Sequence, residues 1–240
     1  MVVKSLNLLS GGPDSAVAAY LAVSEGKEVH TLTLKSTPRG HNHVEVGCAE
    51  RLARRLGVKN TVIDVSGIAP LFDNKPGYKF AVGGARDCLP EGQIVAPLSV
   101  ELMHLLCCIY AASNGIHRFV WPIHKKDIDC DLDWEREAVE HFEKMVETRI
   151  GRRIICEMPL LEMTKSEVIH LGERLNVPWG ETFSCFVSQT DTHCGRCYKC
   201  HERRTQFAEA GVHDPARFEH DDDYVEGSRK RRYYNIPEFV

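Results

Sequence analysis

The segment Ser-Gly-Gly-Pro-Asp-Ser at residues 10–15 is the feature that most constrains how this chain can fold. An apolar run with Leu6, Leu8 and Leu9 precedes it, and a second apolar run begins at Ala16. This order predicts a β-strand, a tight loop and an α-helix. The two glycines let the backbone turn sharply and expose N–H groups, and a helix N-terminus attracts negative charge. The segment therefore predicts a phosphate-binding loop.

A tight turn capped by Asp14 or Ser15 is the alternative, because Gly, Pro, Asp and Ser dominate turns in general. The phosphate interpretation is favoured because strand, loop and helix follow one another in the order that such a site requires. Backbone donors would come from Gly11 and Gly12, and hydroxyl donors from Ser10 and Ser15. The loop is not a Walker loop, because no lysine follows the glycines at the required spacing.

The elements that follow the loop indicate the fold class. Residues 28–34 alternate as in a strand, residues 44–56 have helical spacing with Gly57 as the stop, and residues 61–65 form a third strand. This succession predicts an α/β fold with a doubly wound, Rossmann-like parallel sheet. Ligands of such sheets bind at the carboxyl ends of the strands, where the loop at residues 10–15 lies.

The rest of the chain contains further helices and strands. A buried helix, a short strand, an amphipathic helix and another strand are predicted over 98–112, 118–121, 132–147 and around 154–155. Thr164 to Glu167 has the form of a capping box that opens a helix through Leu175. The Gly- and Pro-rich residues 70–97 are expected to be a loop, and the chain beyond Cys200 to be irregular and charged.

Four cysteines near the C-terminus give the most specific chemical signal. They are spaced C-x8-C-x2-C-x2-C, at Cys185, Cys194, Cys197 and Cys200. This spacing can wrap four thiolates around one tetrahedral ion, which predicts a structural zinc site with no open position for catalysis. Unligated thiols or redox pairs are the alternative, but the polar segment around these cysteines is unusual for buried free thiols. The neighbouring His193 could replace one of the ligands.

Composition narrows the class of protein. The chain has 240 residues, 43% of them hydrophobic, and a formal net charge of −4, which gives no general cationic field for nucleic acid. There is no apolar run of the length that spans a bilayer, and Gly-Gly-Pro-Asp interrupts the N-terminal apolar run that a signal peptide would continue. These features predict a cytoplasmic protein whose ten cysteines stay reduced.

The loop at residues 10–15 resembles the pyrophosphate loop of the N-type ATP pyrophosphatases, which have an adenine nucleotide alpha hydrolase-like fold. Within that superfamily, the cysteine segment resembles the QueC family, whose Glu-Thr-x-[Thr/Ser]-Cys and following cysteines correspond to residues 181–185 and the later ligands without a gap. Pro159-Leu160, the helix start at residues 165–167 and Arg203 also match the family pattern.

The middle of the chain departs from this pattern. The family's Gly-Arg-Asn falls on residues 98–100, which read Leu-Ser-Val, and its Arg-His falls on His41 and Asn42. The acidic segment at residues 127–130 is about two residues shorter than in the family. An arginine can grip a carboxylate through two hydrogen bonds, so its replacement by serine changes what the pocket can hold.

The resemblance implies an ATP-dependent carbon–nitrogen ligase of queuosine biosynthesis. ATP would bind with Mg²⁺, a substrate carboxylate would be adenylated with release of pyrophosphate, and ammonia would displace AMP. In this family the carboxylate belongs to 7-carboxy-7-deazaguanine and the final product is the nitrile, 7-cyano-7-deazaguanine. A homodimer is also expected, with neither a membrane nor nucleic acid as a partner.

The implied site residues fall into two groups besides the zinc ligands. The catalytic residues would be Asp14, Lys165 and Asp127. The nucleotide would be held by Leu9, Ser10, Gly11, Gly12, Pro13, Asp14, Ser15, Ala16, Leu34 and Arg203. Each polar role has an alternative: Asp14 as a helix cap, Lys165 as a solvent-facing side chain, Arg203 in an ion pair, and Asp127 in a solvated acidic loop.

Three domain segments and three rival functions complete the prediction. The expected segments are a nucleotide-binding domain at 1–180, a zinc-binding segment packed on it at 181–210, and a charged tail at 211–240.

The first rival function is that of a QueC-like ligase acting on another carboxylate or amine. The second is a tRNA sulfur-transfer enzyme, disfavoured by the acidic charge balance. The third is a zinc-knuckle module that binds nucleic acid or protein, which the intact loop disfavours.

Overall fold

The computed structural model describes residues 2–35, 41–71, 78–79, 94–95, 99–125, 132–186 and 188–220. Its strands are β1 (Lys4–Leu8), β2 (Glu28–Lys35), β3 (Lys59–Asp64), β4 (Tyr78–Lys79), β5 (Ile94–Val95), β6 (Arg118–Val120) and β7 (Ile155–Glu157). Its α-helices are α1 (Pro13–Ser24), α2 (His41–Leu56), α3 (Ser99–Ser113), α4 (Leu132–Ile150), α5 (Lys165–Arg174) and α6 (Tyr198–Glu209). Short 3₁₀ helices cover Ser66–Leu71 and Trp179–Glu181.

Five parallel strands form the main sheet in the order β3-β2-β1-β6-β7. The strand order reverses between β1 and β6, so the connections leave this point in opposite directions. A crevice for ligands opens there, beyond the carboxyl ends of these two strands. The predicted α/β, doubly wound fold class is confirmed. The short β4 and β5 pair with each other in a separate parallel ladder.

Helices cover both faces of the main sheet. On one face, α1, α2 and α5 pack around a core that includes Leu9, Leu52 and Ile169. On the other face, α3 and α4 pack around Leu6 and Phe119. Because side chains alternate along a strand, β1 and the residue after it contribute to both cores. The central strand β1 is therefore buried on both sides, whereas the edge strand β3 is partly exposed.

Local signals fix where α5 begins. The Thr164 side chain accepts a hydrogen bond from the Glu167 N–H at 3.3 Å, and the Glu167 carboxylate accepts one from the Thr164 N–H at 2.7 Å. This reciprocal pair is the predicted capping box, and it satisfies two donors that the first helical turn leaves open. It also places Lys165 at the first helical position, where its side chain can reach the crevice.

The chain after Cys200 differs from what the sequence predicts. The prediction of irregular chain beyond Cys200 is wrong as far as residue 209, because α6 runs through this stretch. Although its sequence is charged, this helix has a buried face that includes Phe207 and Arg203.

Three segments named in the sequence analysis lie outside the described residues. They are most of the expected loop at 70–97, the acidic residues 127–130 and the tail from 221 onward. None of the described helices combines the length and apolar composition needed to cross a bilayer.

Candidate functional site

The loop after β1 is shaped by Gly11, which has φ +91°. A β-carbon at this position would lie 2.2 Å from the carbonyl oxygen of Glu45 in α2. Both the left-handed backbone and the close approach therefore require glycine. Gly12 then caps α1 and Pro13 opens it, so the first-turn N–H groups of the helix point into the crevice without intrahelical acceptors.

The two serines of the loop brace it from inside. The Ser15 hydroxyl donates to the Gly12 carbonyl oxygen at 3.0 Å and accepts from the Ser10 N–H at 3.1 Å. The Ser10 hydroxyl in turn accepts from the Gly12 N–H at 3.3 Å. Ser15 is buried, whereas Ser10 is exposed. The structure thus leaves Ser10 accessible to a ligand and uses Ser15 to hold the loop in shape.

Three side chains from separate elements meet beside this loop. Asp14 lies in the first turn of α1, and its Oδ1 accepts a hydrogen bond from Lys165 Nζ at 2.5 Å. His124, four residues beyond the end of β6, places its Nε2 3.7 Å from the same oxygen. The side chains of Lys165 and His124 are 10% and 3% exposed, so the group is largely screened from water. The sheet order brings these elements together at the switch point.

The charge of Asp14 follows from these neighbours. Burial alone would raise the pKa of the Asp14 carboxyl, but the charge and hydrogen bond of Lys165, together with electrostatic contributions from His124 and Lys199, lower the pKa. The carboxylate therefore stays ionised at neutral pH. Asp14 and Lys165 form a partly buried ion pair that points a carboxylate and an ammonium group at the crevice.

The sequence alone did not single out His124. It follows Trp121-Pro122-Ile123, and its position beside Asp14 depends on the pairing of β1 with β6, which no local pattern encodes. A histidine just beyond the carboxyl end of a predicted parallel strand is the signal that could have found it. Asp127, the third expected catalytic residue, lies outside the described residues.

The remaining residues expected to hold a nucleotide have buried or partly buried side chains. The side chains of Leu9, Pro13 and Ala16 are buried. Leu34, near the end of β2, packs against the core on the α3 and α4 face. Their side chains are therefore packed in the protein, and their expected contact with a nucleotide stays a prediction.

The four cysteines come together as predicted. Their sulfur atoms all lie within 4.8 Å of one another, with Cys194 to Cys200 and Cys185 to Cys197 both at 3.8 Å and Cys197 to Cys200 at 3.4 Å. Thiolates bound about 2.3 Å from one tetrahedral zinc ion would lie roughly 3.8 Å apart. The cluster could therefore hold a metal ion, and its sulfur-only donor set fits zinc.

Backbone groups around the cluster favour thiolates. The N–H groups of Ser188 and Cys194 donate to Cys185 Sγ at 3.2 and 3.4 Å, and the N–H of Cys197 donates to Cys194 Sγ at 3.3 Å. Such donors stabilise negative charge on sulfur. Gly195 has φ +76°, and a β-carbon there would lie 1.9 Å from the carbonyl oxygen of His220, so this turn also requires glycine.

The cysteine segment is docked on the phosphate loop. The Phe183 N–H donates to the Gly11 carbonyl oxygen at 2.9 Å, and the Phe183 side chain is buried with Cys48, Cys185 and Cys200. Phe183 belongs to the segment at residues 179–184, which we call the strap. His193 supports this strap, because its Nε2 accepts a hydrogen bond from the Ser184 N–H at 3.1 Å. Phe183 therefore contacts both the cysteine cluster and the loop.

Arg203, in α6, bonds to the strap. Its guanidinium forms two hydrogen bonds to the Asp214 carboxylate, at 2.8 and 2.9 Å, and donates to the Trp179 carbonyl oxygen and the Thr182 hydroxyl at 3.0 and 2.9 Å. The residue is only 2% exposed. Of the two roles open from the sequence, the ion pair with an acidic residue is the one that the structure shows. Through these bonds Arg203 fixes the strap before Cys185.

Comparison with known proteins places these features in context. A family model described as queuosine biosynthesis protein QueC matches residues 4–211. A 7-cyano-7-deazaguanine synthase from Methanospirillum hungatei is 29% identical over 221 residues, which cover 89% of this chain and 98% of the relative. One from Anaeromyxobacter dehalogenans is 31% identical over 226 residues, covering 90% of this chain and 95% of the relative. These matches confirm the prediction of an enzyme similar to the 7-cyano-7-deazaguanine synthases.

A solved structure supports the fold. The U34-tRNA thiolase NcsA from Methanococcus maripaludis, with its [4Fe-4S] cluster, superposes with a TM-score of 0.50 at 13% identity. The match covers 73% of this chain and 58% of that protein. At this identity the likeness concerns the arrangement of sheet and helices alone.

Proposed function

Since this chain belongs to the QueC family, we propose that it converts 7-carboxy-7-deazaguanine to 7-cyano-7-deazaguanine in queuosine biosynthesis, using ATP and ammonia. The observation that carries the proposal is the Asp14–Lys165 ion pair, with His124 against it, beside a glycine loop at the switch point of a parallel sheet. A loop and a pair of this kind suit the transfer of a nucleotidyl group, in which charge develops on phosphate oxygens.

The loop is proposed to hold the pyrophosphate that leaves. The N-terminus of α1 presents the open N–H groups of its first turn to an anion, and Ser10 is exposed in the loop before it. The brace between Ser15 and Gly12 keeps these donors in place before the anion arrives. A site that needs no rearrangement stabilises developing charge most effectively.

Lys165 is proposed to stabilise the charge that builds on the α-phosphate. Asp14 holds it at the crevice and is itself the carboxylate available to Mg²⁺. When bound with the nucleotide, Mg²⁺ would neutralise charge on the phosphate oxygens. His124 completes the group: its buried ring lies against Asp14 and restricts where the carboxylate can turn.

The substrate carboxylate is proposed to attack the α-phosphate, which gives an acyl-adenylate and pyrophosphate. Ammonia then displaces AMP to give the amide. The amide oxygen then attacks the α-phosphate of a second ATP and releases pyrophosphate. Departure of AMP with that oxygen, and loss of the two amide protons, leave the nitrile. Asp127 and the acidic residues near it are proposed to face this acceptor. The changed residues 98–100 keep a second candidate open, a QueC-like ligase with another carboxylate as its acceptor.

The cysteine cluster is proposed to bind zinc in a purely structural role. Four sulfur donors complete a tetrahedral shell, and the cluster's backbone donors already favour thiolates. We also propose the division of the chain into 1–180, 181–210 and 211–240, and assembly as a homodimer. Sedimentation of the purified protein would test the homodimer.

The test is turnover of 7-carboxy-7-deazaguanine by zinc-loaded protein with ATP, Mg²⁺ and ammonia, followed by mass spectrometry of the base and assay of pyrophosphate and AMP. Nitrile formation that is lost in Asp14→Ala and kept in the exposed-site control Asp64→Ala would support the proposal. Pyrophosphate release with a different acid, and none with this one, would support the second candidate. Absence of ATP binding would overturn both.

A further inference from the structure

A buried carboxyl group at the start of α4 lacks a partner among the described residues. Glu135 lies in the first turn of this helix and is 5% exposed. Within the part of the chain that the structure describes, no group donates a hydrogen bond to its carboxylate or forms an ion pair with it. Buried carboxylates are normally paired, because removal from water is costly. Glu135 therefore has room for hydrogen-bond donors that a ligand would supply.

The start of α4 lies at the ligand-binding end of the main sheet. This helix connects the parallel strands β6 and β7, so its first turn lies beyond the carboxyl end of β6. Leu132, its first residue, packs against the core that contains Val100 and Ile123. Ile123 adjoins His124, whose Nε2 lies 3.7 Å from Asp14 Oδ1. The chain that follows β6 therefore connects the core under α4 with the side chains beside the phosphate loop.

The helices α3 and α4 open side by side at this end of the sheet. The ring centre of His104 in α3 lies 4.7 Å from that of Trp121, which follows β6, and 5.6 Å from that of Phe142 in α4. Glu135 precedes Phe142 by two helical turns and shares its buried face. Burial and the charge of Glu101, in the first turn of α3, raise the pKa of the Glu135 carboxyl. Hydrogen-bond donors from a ligand would offset both effects.

We propose that Glu135 selects the base of the acceptor by accepting the paired N–H groups of a guanine-type edge. This inference rests on the proposed function and deepens it, because it names the part of the deazaguanine that the chain recognises. The N1–H and 2-amino groups of such a base lie side by side and match the two oxygens of a carboxylate. The 7-carboxy group is on the other ring, so Glu135 can hold the base while that group faces ATP.

Comparison of two acceptors on the zinc-loaded full chain tests the proposal. One is 7-carboxy-7-deazaguanine and the other is the same acid without its 2-amino group. Each is given with ATP, Mg²⁺ and ammonia, and pyrophosphate release is measured. The second acid leaves one carboxylate oxygen unpaired, so we expect its kcat/KM on the parent chain to be at least about ten-fold lower. Equal values for the two acids would overturn the proposal without any variant.

Glu135→Gln keeps the size of the side chain but replaces one acceptor with a donor. We expect this change to lower kcat/KM for 7-carboxy-7-deazaguanine at least about ten-fold and to reduce the preference between the two acids to within about three-fold. Glu137→Gln changes an exposed glutamate of the same helix, so this matched control should keep the preference of the parent chain. Zinc content and the affinity for a non-hydrolysable ATP analogue should stay unchanged in both variants.

Two results with Glu135→Gln would overturn this inference alone. An equal loss for both acids would indicate a structural role, and an unchanged preference would show that Glu135 does not contact the base. In either case, turnover by the parent chain would still support the proposed function. A parent chain that binds the ATP analogue but does not turn over 7-carboxy-7-deazaguanine would overturn both proposals.

Discussion

The backbone N–H of Phe183 donates a hydrogen bond to the carbonyl oxygen of Gly11 at 2.9 Å. This bond joins the strap before the first clustered cysteine to the loop after the first strand. Both residues are buried, so the bond is protected from competing water. Order in the cysteine cluster and order in the loop therefore depend on each other.

Removal of the metal should weaken nucleotide binding. Chelation, or Cys200→Ser, removes the ion or one of the four ligands that would hold the cluster together, and so loosens the strap that bonds to Gly11. We expect faster hydrogen exchange at Phe183 together with weaker binding of an ATP analogue, both measured before and after zinc is restored. Cys107→Ser, a change at a buried cysteine of α3 outside the cluster, is the control and should leave zinc content unchanged. Intact analogue binding in the metal-free protein would contradict this prediction.

Gly11→Ala should damage the loop more than a comparable glycine change elsewhere. Gly11 and Gly26 both have positive φ, +91° and +73°, but only at Gly11 would a β-carbon collide with another backbone. The left-handed strain alone costs about 1–3 kcal/mol, and Gly26→Ala measures that cost. We expect Gly11→Ala to lose more unfolding free energy than Gly26→Ala in urea titrations, and to lose nucleotide binding. Equal losses would show that the contact with Glu45 does not matter.

The pair between Asp14 and Lys165 should be essential for turnover. Asp14→Asn leaves the ammonium group without its counter-ion, and Lys165→Met leaves a carboxylate facing the phosphates. We expect each change to slow pyrophosphate release at least 100-fold, which is about 2.7 kcal/mol in the barrier. Asp64→Asn breaks an exposed pair with Lys35 and should have little effect. Turnover within ten-fold of the parent chain in Lys165→Met would refute the proposed role of that lysine.

Replacement of Arg203 should lower the free energy of unfolding. Arg203→Met leaves the Asp214 carboxylate and two strap acceptors without their donors, and loss of one partner from a buried pair costs about 3–5 kcal/mol. Arg55→Met breaks an exposed pair with Glu181 and should cost less than about 1 kcal/mol. Denaturant titrations of both variants check the difference. A stable Arg203→Met protein with weakened nucleotide binding would instead favour direct contact with the ligand.

His104 should make the fold acid-sensitive. Burial lowers its pKa from 6.5 to about 4, and its Nε2 has no hydrogen-bond partner among the described residues. The unfolded chain therefore takes up a proton on this residue near pH 6.5, while the folded chain stays neutral until about pH 4. The stabilising contribution is complete above pH 6.5 and is lost as pH falls through this window, by about 3 kcal/mol in total.

His104→Phe keeps a ring against Trp121, Phe119 and Phe142 and removes the titration. The unfolding free energy of the parent chain should fall relative to that of the variant between pH 6.5 and pH 4. Comparison of the two proteins removes the acid sensitivity of the thiolates, which both share. Parallel pH curves would show that His104 does not titrate in this window.

Much of the fold could be predicted because its signals are local. The strand, glycine loop and helix at residues 4–24, and the capping box at Thr164, are readable from a few adjacent residues. The helix α6 is not of this kind. Its residues after Cys200 are mostly polar, and the helix is held by the buried Arg203 and by its attachment to the cysteine cluster. A tertiary anchor of this sort leaves no periodic apolar pattern.

The site could be predicted in part for the same reason. The cysteine ligands share one short segment, so their spacing alone brings them together. His124 and the Asp14–Lys165 pair depend on the order of strands in the sheet, and the sequence does not state which strand lies beside β1. The burial of Arg203 depends on Asp214, whose approach is equally non-local. The contacts of these residues could therefore not be predicted from the sequence.

The bond between Phe183 and Gly11 also has a consequence for biosynthesis on the ribosome. The loop emerges first, but the strap that fastens it emerges only after all five strands of the main sheet have been translated. A nascent chain that stops before the cysteines would carry this sheet and still lack the segment that packs on the loop. Ligand binding is then a late event in translation, so the substrate cannot stabilise the partly made chain before the strap is in place.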